Sequence, residues 1–402
     1  MAAFFLIIIY LAFISLGLPD SMLGAAWPAL HRDIGAPVSM AGLIFMTVTA
    51  GTIVSSLATG ILLKRFGTGK VTLFSCLITA AALLGFSYAP ATAWLFVFAV
   101  PLGLGAGCVD AGLNSYVAEH YKARHMSWLH CFWGVGATLG PVIMAHSILE
   151  RSWRNGYLNV SLIQFGLVLI LLLTLPLWAK VARLSRTDQA GGSEATEEND
   201  RAGGAIPFKI KGVKLALLSF LFYSGVEATL GLWGSTYLSE SKGVSATDAA
   251  KWISFYYGGI TAGRFLAGFV TFKLSNRAMI RGGQLLAVTG IVLMLLPLPT
   301  VFSLIGFVVV GLGLAPIFPC MLHETPVRFG KGPSQSIMGF QMAAAYTGST
   351  LLPPLFGFIA SRSASGILPL YLLVLAAGLL LFSERINAFM KRRRGASAAV
   401  AK

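Results

Sequence analysis

The chain is poor in charge. Asp, Glu, Lys and Arg make up only 11% of its 402 residues, where soluble globular domains carry about 25%. So little charge excludes an ordinary water-facing surface. Cysteine is scarce as well. Cys76, Cys108, Cys131 and Cys320 all lie inside apolar stretches without metal-ligand spacing, and read as small buried hydrophobes. No Walker loop, HExxH, nucleophile elbow or GxGxxG after a strand occurs, so the sequence offers no ATP site and no catalytic motif of an enzyme. A basic segment before the first apolar run is also missing. The opening MAAFFLIIIYLAFISLGLPD stays apolar past any cleavage site, which predicts a first membrane helix rather than a signal peptide.

What the chain does have is hydrophobic length. It is 56% hydrophobic with a mean hydropathy of +0.77. A hydrocarbon core about 30 Å thick takes about 20 apolar residues per helical crossing. Only helices or closed barrels satisfy every backbone polar group there. The apolar runs are too long and too unalternating for barrel strands. They fall near 3–30, 39–63, 70–90, 92–119, 127–149 and 157–180, then near 212–238, 248–272, 279–298, 300–322, 333–360 and 367–389. Twelve crossings are expected. Between the two series lies RLSRTDQAGGSEATEENDRAGG, whose composition cannot bury a core and reads as a flexible linker.

The formal charge of +15 does not signal nucleic acid, because the basic residues sit in the gaps between apolar segments. Twenty-three Lys and Arg fall on one side of the expected topology and six on the other, with Arg264 left inside a segment. That asymmetry puts both termini and the linker in the cytoplasm of a plasma membrane, most naturally a bacterial inner membrane. The expected partner is therefore the lipid bilayer, around a monomer.

The two series repeat. Gly51, Gly60, Arg65 and Phe66 correspond to Gly259, Gly268, Lys273 and Leu274 at an offset of 208, and the same offset takes Gly103-Leu104-Gly105 onto Gly311-Leu312-Gly313. The expected fold is an all-α membrane protein of twelve transmembrane helices in two pseudo-symmetric six-helix bundles. They occupy 1–181 and 212–390, with a cytoplasmic linker at 182–211 and a basic tail at 391–402. Parallel repeats of this kind place a substrate site at mid-membrane between the halves, which rock around it.

Polar residues inside the membrane locate that site. Of the fifteen acids, twelve fall in loops, in the linker or at helix ends, leaving Asp20, Asp110 and Glu227 within segments. An acid at a membrane helix centre costs about 2.5–3.5 kcal/mol on insertion scales, so such residues usually have a function. Asp20 follows Pro19, whose missing N–H leaves the Ser15 carbonyl free. That carbonyl and carboxylate together suit a cation or a sugar hydroxyl; the other reading is a cap on a broken helix. Gly17, Asp20, Gly24 and Trp27 share one helical face. So do Gly103, Gly107, Asp110 and Asn114, where the acid and amide either grip a ligand or bond each other, and the glycines suit close helix packing equally well. Tyr223, Glu227 and Gly234 form a third face with Trp233 beside it; Glu227 suits proton exchange, Na⁺ ligation, or a structural bond to a carbonyl. His130, with Trp133 near it, and Gln164, Gln341 and Tyr346 are weaker candidates for solute contacts, ties between helices being the alternative. Arg264 reads as a structural or gating residue, either snorkelling to the surface or pairing with a carboxylate across the halves.

These features resemble a known family. Twelve segments, a central linker and GILLKRFGTGK look like the major facilitator superfamily. Gly60, Leu62, Arg65, Gly67 and Lys70 match its G-x-L-x-D-R-x-G-R-K loop, with Lys64 where the family has Asp. The second-half counterpart GRFLAGFVTFKL, with Gly268, is similar too. YSGVEATLGLW, GRFLAGF and GLGLAPIFP resemble the fucose–galactose–glucose:cation symporter branch. The resemblance implies alternating access, no cofactor beyond a coupling H⁺ or Na⁺, and a gating role for the loop residues. It matches Glu227 to the acid of a Y-x-G-x-E motif, Asp20 to a first-helix acid, and Asp110 to a fourth-helix position where those permeases carry Glu. The function expected is symport of a monosaccharide or similar small polar solute, with ring faces packing on Trp27, Trp133 or Trp233. A proton-driven exporter of drugs or metabolites is the alternative, and a non-transporting receptor on the same scaffold a third.

Overall fold

The computed structural model describes residues 2–121, 123–150, 152–189, 210–270, 273–363 and 365–400. Most of the expected linker, 190–209, and the last two residues of the expected tail lie outside the described residues. Fourteen α-helices and no strand occur among the described residues. The first half holds α1 (Ala2–Asp20), α2 (Met22–Asp33), α3 (Met40–Phe66), α4 (Thr68–Tyr88), α5 (Thr92–His120), α6 (Ala123–Leu149) and α7 (Trp153–Gln189). The second holds α8 (Val213–Ser241), α9 (Ala246–Val270), α10 (Asn276–Leu295), α11 (Val301–Leu314), α12 (Ile317–Phe329), α13 (Lys331–Ser363) and α14 (Leu368–Val400).

Twelve crossings result because two are built from helix pairs. The first breaks between α1 and α2 just after Pro19, and the tenth between α11 and α12 at Ala315-Pro316, where a missing N–H interrupts the helical ladder. Ten spans are apolar enough to cross a bilayer on length and composition alone. The other two, α9 and α13, are long enough at 25 and 33 residues but more polar. Both pack across the boundary between the halves, α9 on α6 and α13 on α3, and each also presents large apolar side chains outward, among them Phe265 and Phe269 on α9 and Leu351 and Phe358 on α13. Two boundaries differ from expectation. Helix α7 runs on to Gln189 and α14 to Val400, so the start of the linker and the basic tail prolong transmembrane helices.

The repeat is visible in the packing. Pairs α1–α6, α3–α5 and α4–α7 of the first half correspond to α8–α13, α9–α11 and α10–α14 of the second, and the cross-boundary pairs α6–α9 and α3–α13 correspond to each other. The contact behind the offset of 208 is specific. A Cβ on Gly51 would sit 3.2 Å from Leu104 N and 3.3 Å from Gly103 C; one on Gly259 would sit 3.2 Å from Leu312 N and 3.3 Å from Gly311 Cα. Small residues let the same two backbones close in each half.

We call the end where α1 begins and the two halves connect the linker end, and the opposite one the far end. The far end is sealed between the halves. A Cβ on Gly24 would lie 2.3 Å from Gly231 O, and one on Gly42 2.7 Å from Pro354 Cα. His31 on α2 approaches Glu240 on α8 at 3.8 Å.

Candidate functional site

At mid-span the three sequence-selected acids gather where the halves meet. Asp20 ends α1, and its Oδ2 accepts the Trp133 indole N–H of α6 at 2.7 Å. Glu227, on α8, accepts from Arg264 of α9 at 3.2 Å, with side chains 20% and 16% exposed. Arg264 also lies over the Trp133 ring, 5.1 Å from its centroid. Asp110, on α5, accepts the Asn114 side-chain N–H at 2.9 Å and the Tyr346 hydroxyl of α13 at 3.3 Å. Asp20 lies within electrostatic reach of Asp110, and Trp133 and Arg264 join it to Glu227, so the three acids lie around one region between the halves, which we term the chamber. Asp20 and His130 remain solvent-exposed at mid-span.

Wholly buried Tyr223 faces the Glu227–Arg264 pair from one turn away on α8. The Tyr256 hydroxyl donates to the Glu227 carbonyl at 3.0 Å. Tyr257 lies within reach of both Asp20 and Glu227. These last two were missed. For Tyr257 the signal was in the sequence: Tyr257, Thr261 and Arg264 recur at i, i+4 and i+7, a polar stripe along one face of the helix.

Several expectations need correction. The Ser15 carbonyl freed by Pro19 is not open to a ligand, because the Gln164 amide donates to it at 2.8 Å. Gln164 Oε1 takes the Thr79 hydroxyl at 2.8 Å, so this buried amide ties α7 to α1 and α4 instead of facing the chamber. Gln341 is likewise buried, accepting from Thr325 at 2.9 Å between α12 and α13. Trp27 and Trp233 are fully buried, and their N–H groups donate to the carbonyls of Val38 at 2.9 Å and Pro353 at 2.8 Å. Only Trp133 of the three tryptophans reaches the chamber. The Gly17–Gly24 face is no ligand groove: a Cβ on Gly17 would strike Trp133 O at 2.1 Å. Of the two readings of Gly103 and Gly107, close packing holds: a Cβ on Gly103 would lie 2.1 Å from Val48 O and one on Gly107 2.3 Å from Thr52 O. Arg264 neither snorkels nor pairs across the halves; its carboxylate partner sits in its own half, and the chamber holds both.

The loop residues stand apart. Gly67 has a φ of +81°, a left-handed conformation that only glycine adopts freely, and it joins α3 to α4. Arg65 lies over Phe66 at 5.3 Å and is exposed, as are Gly60 and Lys70, and no ion pair involving Lys64, Arg65 or Lys70 occurs among the described residues. Gly268 lies near the linker end of α9, remote from the acids along the sequence.

A model of the Major Facilitator Superfamily matches residues 9–332. The chain belongs to that superfamily. This major facilitator is a multi-pass membrane transporter and not an enzyme. It is 23% identical over 350 residues to the glucose/mannose transporter GlcP of Bacillus subtilis (strain 168), covering 85% of this chain and 84% of the relative. It is 22% identical over 411 residues to the hexuronate transporter of the same organism, covering 94% and 92%. A solved bacterial homologue of the human lysosomal transporter Spinster, inward-facing and occupied, shares the fold with a TM-score of 0.76. It is 13% identical and covers 97% of each chain.

Proposed function

We propose that this major facilitator is a cation-coupled symporter of a monosaccharide or similar small polar solute, working by alternating access. One observation carries the reading: Asp20, Asp110 and Glu227 share a chamber between the halves, each already held by a polar neighbour. A carboxylate sheltered from lipid in a wet crevice takes a cation or proton on one side and releases it on the other. Carboxylates, an amide and tyrosine hydroxyls supply the paired donors and acceptors that sugar hydroxyls need. The similarity to a glucose/mannose transporter agrees with that chemistry. Asp20, Asp110 and Glu227 then serve the coupling ion, H⁺ or Na⁺, with no other cofactor. Asn114, His130, Trp133, Tyr223 and Tyr346 contribute to solute binding.

A second reading has Arg264 receiving the carboxylate of an acidic solute once Glu227 is neutralised, as similarity to a hexuronate transporter suggests. The excess of Lys and Arg at the linker end orients it to the cytoplasm of a bacterial inner membrane, with a monomer as the working unit. Proteoliposomes under an imposed proton or sodium gradient test the proposal. Accumulation of labelled glucose or mannose supports the sugar reading, and accumulation of glucuronate alone the acid reading. Absence of gradient-driven uptake across a full panel overturns both, and resistance to unrelated drugs on expression points instead to export.

A further inference from the structure

Trp133 uses both chemical features of its indole. Its edge donates to the Asp20 carboxylate at 2.7 Å, and its face carries the Arg264 guanidinium at 5.1 Å. Arg264 in turn donates to Glu227 at 3.2 Å. The first-helix acids of the two halves, Asp20 and Glu227, therefore terminate one continuous chain of contacts that crosses the boundary once, through a single ring.

The backbone around this ring is held on both sides. A Cβ on Gly17 would meet Trp133 O at 2.1 Å, so α1 lies directly against α6. A Cβ on Gly134 would meet Thr261 Oγ1 at 2.5 Å, seating α6 on α9 one turn from Arg264. The indole has little freedom to leave either partner alone. A cation over an aromatic face draws electron density from the ring and strengthens its N–H as a donor.

We propose that Trp133 is a positioning residue that links the charge state of Asp20 to that of the Arg264–Glu227 pair. This rests on the reading of the chamber as the coupling site and goes beyond it, since the ring acts here as a connector between two acids. When Asp20 takes up a proton or a cation, the N–H loses its anionic acceptor and the ring loosens under Arg264. The Glu227 pair in the other half then weakens, and the two halves register the ion together.

A double-mutant cycle tests the link without any solute. Asp20→Asn and Glu227→Gln, singly and combined, are measured by thermal midpoint in detergent, in the Trp133 protein and in Trp133→Phe, which keeps a ring but has no N–H. With Trp133 present, the combined shift is expected to differ from the sum of the single shifts, as for residues in one network. In Trp133→Phe the two shifts are expected to add. Additivity with Trp133 present, or unchanged non-additivity in Trp133→Phe, overturns the proposal. Should Trp133→Phe fail to fold, a series of fluorinated tryptophans at position 133 keeps the shape and the N–H while weakening the ring's hold on a cation. The non-additivity is expected to shrink as fluorines are added, and a flat series overturns the link. Absence of gradient-driven uptake across the full solute panel would defeat the coupled-symport reading while leaving this cycle readable.

Discussion

The two halves close their linker ends with different chemistry. In the second half, buried Glu324 on α12 lies 3.4 Å from both Arg277 of α10 and Arg328. Arg328 donates to Asn387 of α14 at 3.0 Å, and Arg281 donates to Glu384 at 2.9 Å. The offset of 208 carries Arg277, Glu324 and Arg328 onto Gly69, Tyr116 and His120. There the first half holds rings. Tyr116 stacks on His120 at 4.2 Å and meets Phe5 at 5.6 Å and Trp178 at 5.7 Å, while Trp178 presses on Gly69 so closely that a Cβ would lie 2.7 Å from its side chain. The repeat has kept the helix pairing, α4 on α7 and α10 on α14, and replaced the side-chain chemistry, so one half is tied there by charge and the other by shape.

The largest expected effect breaks the charged side. Glu324→Gln leaves the buried Arg328 and its neighbour Arg277 without their shared anion, and removing one partner of a buried pair costs about 3–5 kcal/mol. Thermal unfolding in detergent should report it. Gly69→Ala attacks the shape-tied side. Trp178 must move to admit the methyl, and overpacking of this kind costs about 1–3 kcal/mol. That loss should not change with salt, which separates it from any electrostatic effect. Smallest is Arg281→Gln, because its partner pair is exposed. A surface pair is screened by salt, so the midpoint of Arg281→Gln should converge on that of the unaltered protein at high ionic strength. A salt-independent loss there would mean that the pair acts through packing.

The same contrast explains what the sequence reveals. Helix number, the repeat and the sheltered acids were legible, because crossing a bilayer imposes length and because an acid in lipid is costly. Glu227, Asp110 and Asp20 stand out against apolar neighbours for that reason. Side-chain direction was not legible. Trp27, Trp233, Gln164 and Gln341 look as suitable for a sugar as Trp133 does, and only the packed structure assigns their polar groups to carbonyls and hydroxyls of neighbouring segments. Arg264 looked like a stray cation because its partner lies 37 positions away. The linker-end ion network escaped notice because Glu324 and Glu384 read as ordinary helix-end acids, and their partners sit on other helices.

The central claim is that the sheltered acids, and Glu227 above all, convert an ion gradient into uphill movement of a solute. Uptake into proteoliposomes by Glu227→Gln, measured both under an imposed cation gradient and in counterflow with solute on both sides, tests it most directly. The account predicts that gradient-driven accumulation is lost while counterflow exchange persists. Accumulation at the level of the unaltered protein would contradict it.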